Sequence, residues 1–133
     1  MAIATYLNPE SLHTNPAFSQ VVRVPAGADL VYIGGQNGVD ATGRVVGPDL
    51  ASQVKQTLDN LRACLAAAGA EPGDVVKWNL LIKEGESLQE GFAAFGAAWG
   101  HMPNPPAITF AFVSGLAVEG ALIEIEAVAA VAG

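Results

Sequence analysis

The stretch Ile123-Glu124-Ile125-Glu126-Ala127-Val128-Ala129 decides the fold. Its first five residues alternate apolar and acidic with the period of an extended strand, which puts Ile123, Ile125 and Ala127 on one side and Glu124 and Glu126 on the other. Residues 121–131 are therefore read as a strand with one face in a core. Residues 21–24, 30–34, 75–82 and Ala107–Val113 are also strands by their β-branched and aromatic content and their flanking turn residues.

Two segments follow the helical period. The first starts at Pro48-Asp49, where Asp49 can cap the free amides, and repeats apolar residues at Leu50, Val54, Leu58, Leu61 and Leu65 before Gly69 closes it. The second starts at Ser87-Leu88-Gln89-Glu90, a capping-box pattern, and its expected buried stripe is Leu88, Phe92, Phe95 and Trp99, ended by Gly100. Asp40-Ala41-Thr42-Gly43 reads as a chain-reversing turn, with Gly43 free to take positive φ. The expected architecture is α+β: one domain over residues 1–133, a mostly antiparallel sheet with both helices on one face. The other sheet face, flanked by the apolar Ala107–Val113 segment, is expected to be covered by another subunit.

Composition narrows the function. Hydrophobic residues make up 51% of the 133 and charged residues 14%, and the net charge is −7. The six Lys and Arg residues form no basic run, so nucleic acid is not an expected partner. A membrane-spanning helix needs roughly 20 consecutive apolar residues, and none is expected here. Met1-Ala2-Ile3-Ala4 does not start a secretory signal, and a cytoplasmic location is expected. Cys64, between Leu61 and Leu65, is read as helix packing, and His13 and His101 lack neighbours at ligand spacing, so neither a metal nor a cofactor is expected.

Taken in order and spacing, several pieces resemble one family: Asn15-Pro16-Ala17-Phe18-Ser19-Gln20, Tyr32-Ile33-Gly34-Gly35-Gln36, residues 50–69, Asp74-Val75-Val76-Lys77, Pro106-Ala107 and the Ile-Glu-Ile-Glu strand. The chain is similar to the Rid/YjgF deaminases. The resemblance implies a chorismate-mutase-like fold in homotrimers, with small-molecule clefts between subunits. In the characterised deaminases an arginine of a Pro-x-Arg motif pairs with the carboxylate of a 2-imino acid or enamine, and the first glutamate of the last strand helps position water. Here that glutamate is Glu124, the N-terminal aromatic is Phe18, and the Gly-Gln turn is Gly35-Gln36.

The arginine position holds Ile108, which offers no donor to a carboxylate. Phe110 shares its strand face without adding a charge, Thr109 points the other way, and Phe92 stands where many of these deaminases carry asparagine. The resemblance therefore points to an arginine-lacking subgroup that is not a standard 2-imino acid deaminase.

The candidate catalytic residue is Glu124, since a partly enclosed carboxylate can act as acid or base near neutral pH; the alternative is a paired or solvated strand carboxylate. Candidate substrate-binding residues are Phe18, Gly34, Gly35, Gln36, Phe92, Ile108 and Phe110. The glycines equally suit a bulge or tight packing, and aromatics at these spacings are more often core. Glu126 reads as a surface charge or a pairing partner, and Trp78 and Trp99 as packing. Two classes of function remain open: hydrolysis of an imine, enamine or related C–N bond, and noncatalytic binding of a small molecule. RNA cleavage, attached to some family members, fits the acidic charge poorly.

Overall fold

The alternating last strand lies inside a four-stranded sheet. The computed structural model describes residues 3–133; the expectation drawn from Met1 to Ala4 falls in part on the two residues outside it. The elements are β1 (Thr5–Leu7), β2 (Val21–Arg23), β3 (Asp29–Gln36), α1 (Leu50–Ala67), a 3-10 turn (Pro72–Asp74), β4 (Val75–Lys83), α2 (Leu88–Trp99), β5 (Ala107–Val113) and β6 (Ile123–Val131). The main sheet has the order β3-β6-β4-β5, and β1 and β2 form a small sheet of their own. The three-residue β1 was too short to be signalled by periodicity.

β6 is antiparallel to both of its neighbours, and β1 is antiparallel to β2. β4 and β5 are parallel, from Lys77 opposite Ala107 to Lys83 opposite Val113. Parallel neighbours need a crossover, and α2 supplies it. The sheet is thus mixed, with its one parallel pair at the β5 edge.

Both helices cover one face. Asp49 caps α1 by accepting from Ser52 N at 3.0 Å, and Val54, Leu58, Leu61 and Leu65 are buried against Ile123, Ile125, Ala127 and Ala129 of β6. Each such aliphatic side chain contributes about 1.5–3 kcal/mol relative to exposure. Cys64 is half-buried against the same cluster, as expected. Trp78 and Trp99 stack edge to face with centroids 5.1 Å apart, and both pack in the core.

α2 departs from its expected face. Its buried residues are Gly91 and Trp99, whereas Leu88 is exposed and Phe92 is 54% exposed. A Cβ on Gly91 would lie 3.3 Å from Ile82 Cδ1 and 3.4 Å from Leu50 Cδ2, so the helix turns its smallest side toward the core and comes close. That rotation carries Phe92 to the rim. The capping box is also half-formed: Ser87 Oγ accepts from Glu90 N, with no return bond from the Glu90 carboxylate.

The opposite sheet face is more polar than the sequence implied. Strand pairing puts Ile108, Phe110 and Phe112 on the helix side, opposite Trp78, Leu80 and Ile82. What β5 presents to the open face is Ala107, Thr109, Ala111 and Val113. Lys77 Nζ donates to Thr109 Oγ1 at 2.7 Å there, and Asn79 Nδ2 donates to Glu126 Oε1 at 2.7 Å. Tyr32, 74% exposed, and Leu30 are the large apolar groups of this face.

Candidate functional site

The candidate residues fall into two groups on opposite faces of the sheet. The first surrounds Glu124. β3 loses its regular pairing with β6 between Ile33 and Gln36, so Gly34 and Gly35 form an irregularity rather than ladder positions. Gly35 sits against the Glu124 side chain: a Cβ there would lie 2.6 Å from Oε2 and 2.8 Å from Cδ. Gln36 ends β3 rather than a turn, paired with Ile125, and its Nε2 donates to Gly34 O at 3.1 Å.

Asn37 holds the carboxylate from the other side. Its Nδ2 donates to Ile123 O at 2.8 Å and reaches Glu124 Oε1 at 3.4 Å. Asn37 is itself fixed by α1, since Asn60 Nδ2 donates to Asn37 O at 3.0 Å and to Val39 O at 2.8 Å. Glu124 is half-buried in this setting, with a neutral amide donor and no cation among its hydrogen-bond partners. A carboxylate held this way keeps lone pairs for a water or a substrate proton. Sequence reading missed Asn37 and Asn60; the available signal was an amide directly after the Gly-Gln turn and another on the apolar helix. Glu126, paired with Asn79, is a partner residue on the same face.

The second group lines a cleft of about 390 Å³ between α2, β4, β5 and the loops at residues 16–17 and 100–105. Phe92 and Ile108 both line it, and the Phe110 ring lies 5.7 Å from that of Phe92 and 5.4 Å from that of Phe112. Phe92 is thus on the cleft wall, whereas Phe110 lies outside the lining and packs, like Ile108, against the core. Phe18 is not among the lining residues; it stacks edge to face on His13 at 6.3 Å, and Pro16 and Ala17 line the cleft in its place. Ser19 ties this segment down, its Oγ donating to Pro105 O at 2.6 Å. Within one chain the structure does not bring Glu124 and Ile108 together.

Two helices packed on one face of a mixed α+β sheet is the fold of Rid family structures. A crystal structure of a Rid family protein from Yersinia pestis superposes with a TM-score of 0.83 at 34% identity, covering 96% of this chain and 98% of that one. The sequence model of the family described as Endoribonuclease L-PSP matches residues 9–131, and the chain belongs to that family, which is the Rid/YjgF family. A RutC family protein of Pyrococcus horikoshii is 32% identical over 113 residues, 84% of this chain and 85% of that protein. A 2-iminobutanoate/2-iminopropanoate deaminase of Rattus norvegicus is 33% identical over 117 residues, 85% of this chain and 79% of that protein. Among the described residues no helix is long and apolar enough to cross a membrane.

Proposed function

We propose that this chain works as a homotrimeric small-molecule hydrolase on an imine, enamine or related C–N bond, with Glu124 as its acid/base. The observation that carries this reading is the setting of Glu124 near the start of β6, where it lies against Gly35 at the β3 irregularity and within reach of Asn37 Nδ2. In the proposed step, Glu124 takes a proton from water as the oxygen bonds to the imine carbon. The proton then passes to the nitrogen to give a carbinolamine; Glu124 next moves the hydroxyl proton to the nitrogen as the C–N bond breaks, which leaves a carbonyl compound and ammonia or an amine and returns Glu124 to its starting state. Glu124 and the Phe92–Ile108 cleft face opposite sides of one sheet, so a shared site requires the Glu124 face of one copy to meet the cleft of the next. Trimer formation supplies that juxtaposition.

The test is ammonia release from a broad imine panel by wild type and Glu124→Gln, with sedimentation equilibrium on both. Loss of turnover in a trimeric variant is the expected result. An inert wild type, or a monomer at micromolar concentration, would sink the reading.

The apolar surroundings of Ile108 favour a second reading, a noncatalytic binding or sensing module. A bound metabolite that Glu124→Gln fails to displace, in a protein without turnover, would establish it.

A further inference from the structure

The cleft beside β5 has an unusual lining for a site that handles polar metabolites. Eleven residues form it, and among these described residues no Lys, Arg, Asp or Glu is present; His101 is the one ionisable side chain. The walls are Leu80, Phe92, Phe95, Met102 and Ile108, closed by prolines. Its volume of about 390 Å³ falls in the range of small-molecule sites, about 300–1,000 Å³. Gly96 of α2 also lines it, and a Cβ on Gly96 would meet nothing within 4 Å. Phe92 keeps 54% of its surface exposed although it is apolar, and it faces Phe110 at 5.7 Å in a tilted arrangement. Aromatic faces at such spacings prefer another ring set against them, offset or edge-on.

We infer that this cleft takes a neutral small molecule bearing an aromatic or similarly bulky apolar group, and that it rejects the same molecule carrying a free carboxylate. The inference rests on the reading of the chain as a small-molecule protein and names the ligand class of its cleft. An apolar body gains by leaving water for walls of this kind. A carboxylate entering with it would lose hydration and find no cation to replace that water. Substrates of the proposed reaction would then be uncharged imines or enamines of aromatic or branched carbonyl compounds.

The experiment titrates the full-length trimer calorimetrically with two probes of one shape, phenylacetamide and phenylacetate. Phenylacetamide is expected to bind at least about tenfold more tightly. Gly96→Leu puts a good helix former at a cleft-lining position where an added Cβ meets nothing within 4 Å, and is expected to abolish that binding while the helix content stays the same. Should Gly96→Leu fail to fold, Phe92→Ala removes an exposed ring without opening the core and is expected to weaken binding about tenfold.

Equal or tighter binding of phenylacetate would overturn the inference, since a neighbouring copy would then be supplying a cation. Binding that survives both substitutions would place the probe elsewhere, and absence of binding by either probe would show that the cleft is filled or closed; each outcome overturns it as well. Turnover that depends on Glu124 but accepts small 2-imino acids would sink this inference and leave the proposed hydrolysis standing. Selective probe binding without turnover would do the reverse.

Discussion

Gly35 and Glu124 share a space with no room for one more carbon: a Cβ on Gly35 would lie 2.6 Å from Glu124 Oε2. The two residues are 89 positions apart and meet across the β3–β6 irregularity. Gly35→Ala should displace the carboxylate from Asn37 and yet cost less than about 1 kcal/mol of stability, because the clashing atom is the far end of a flexible chain. With an imine that the wild type accepts, turnover should fall about tenfold or more. Thermal unfolding and ammonia release on the same sample check both halves; unchanged turnover would detach the position of Glu124 from the chemistry.

Gly38 offers the contrasting case. Its Cβ would lie 2.7 Å from Gln53 Cα, which belongs to the backbone of α1 and has nowhere to go. Gly38→Ala should cost about 1–3 kcal/mol. Gly96→Ala, in open space on a helix, should stabilise by about 0.5–1 kcal/mol. Urea unfolding midpoints of the two variants should move in opposite directions.

Gln53 is fully buried and joins α1 to two loops. Its Nε2 donates to Gly120 O at 3.1 Å and to Gly47 O at 3.3 Å, and its Oε1 accepts from Leu122 N at 2.8 Å. Gln53→Leu preserves much of the volume but leaves these backbone groups unpaired, at about 1–3 kcal/mol for each that water cannot reach. A loss of about 2–5 kcal/mol is expected in urea unfolding, with hydrogen exchange rising first at Leu122. A loss under about 1 kcal/mol would mean that water replaces the amide.

Ile108→Arg tests what the missing cation means. A guanidinium in the cleft should strengthen carboxylate binding by about 1.5–3 kcal/mol, roughly ten- to more than a hundredfold. It should also lower stability when no ligand is bound, because it would lie unpaired among Leu80, Phe92 and Phe95. The wild type is expected to hydrolyse 2-iminopropionate barely above background and the folded variant measurably faster. Rapid hydrolysis by the wild type would refute this account of Ile108.

Acid should weaken the fold through two aspartates, Asp40 half-buried and Asp49 exposed. The Thr42 hydroxyl, followed by the Arg44 and Thr42 amides, holds the Asp40 carboxyl below its ordinary value of 3.8; the Ser52 amide, followed by the Ser52 hydroxyl, does the same for Asp49. Because the folded-state values are depressed, their contribution is present above the unfolded value and is lost as pH falls through the folded ones. Asparagine keeps a capping oxygen without titrating. The Asp40→Asn, Asp49→Asn double variant should therefore lose less thermal stability than wild type between about pH 5 and about pH 3. Parallel losses in both would assign the acid sensitivity to other groups.

Local chemistry made α1 legible from the sequence, because the Asp49 cap, the apolar period and Gly69 all act within a few residues of one another. The turn at Asp40 was legible for the same reason: Gly43 takes φ 86°, and the Asp40 carboxylate binds the amides of Thr42 and Arg44. Alternation alone assigned Ile125 and Glu124 to opposite faces of their strand. The family followed from motifs whose order and spacing are themselves sequence properties. The face of α2 did not follow, since its period allows several apolar stripes. Only contact with Ile82 and Leu50 selects the one in which Gly91 turns inward and Phe92 outward. Nor was the hold on Glu124 legible, because Asn37 and Gly35 reach it across strands that are close in space and far apart in the chain. The separation of Ile108 from Glu124 needed the parallel pairing of β4 with β5, which sets the helix-side face of β5 through hydrogen bonds to a strand some 30 residues earlier. Periodicity determines which residues share a face; which face is buried, and what meets it, depends on partners that tertiary packing alone brings together.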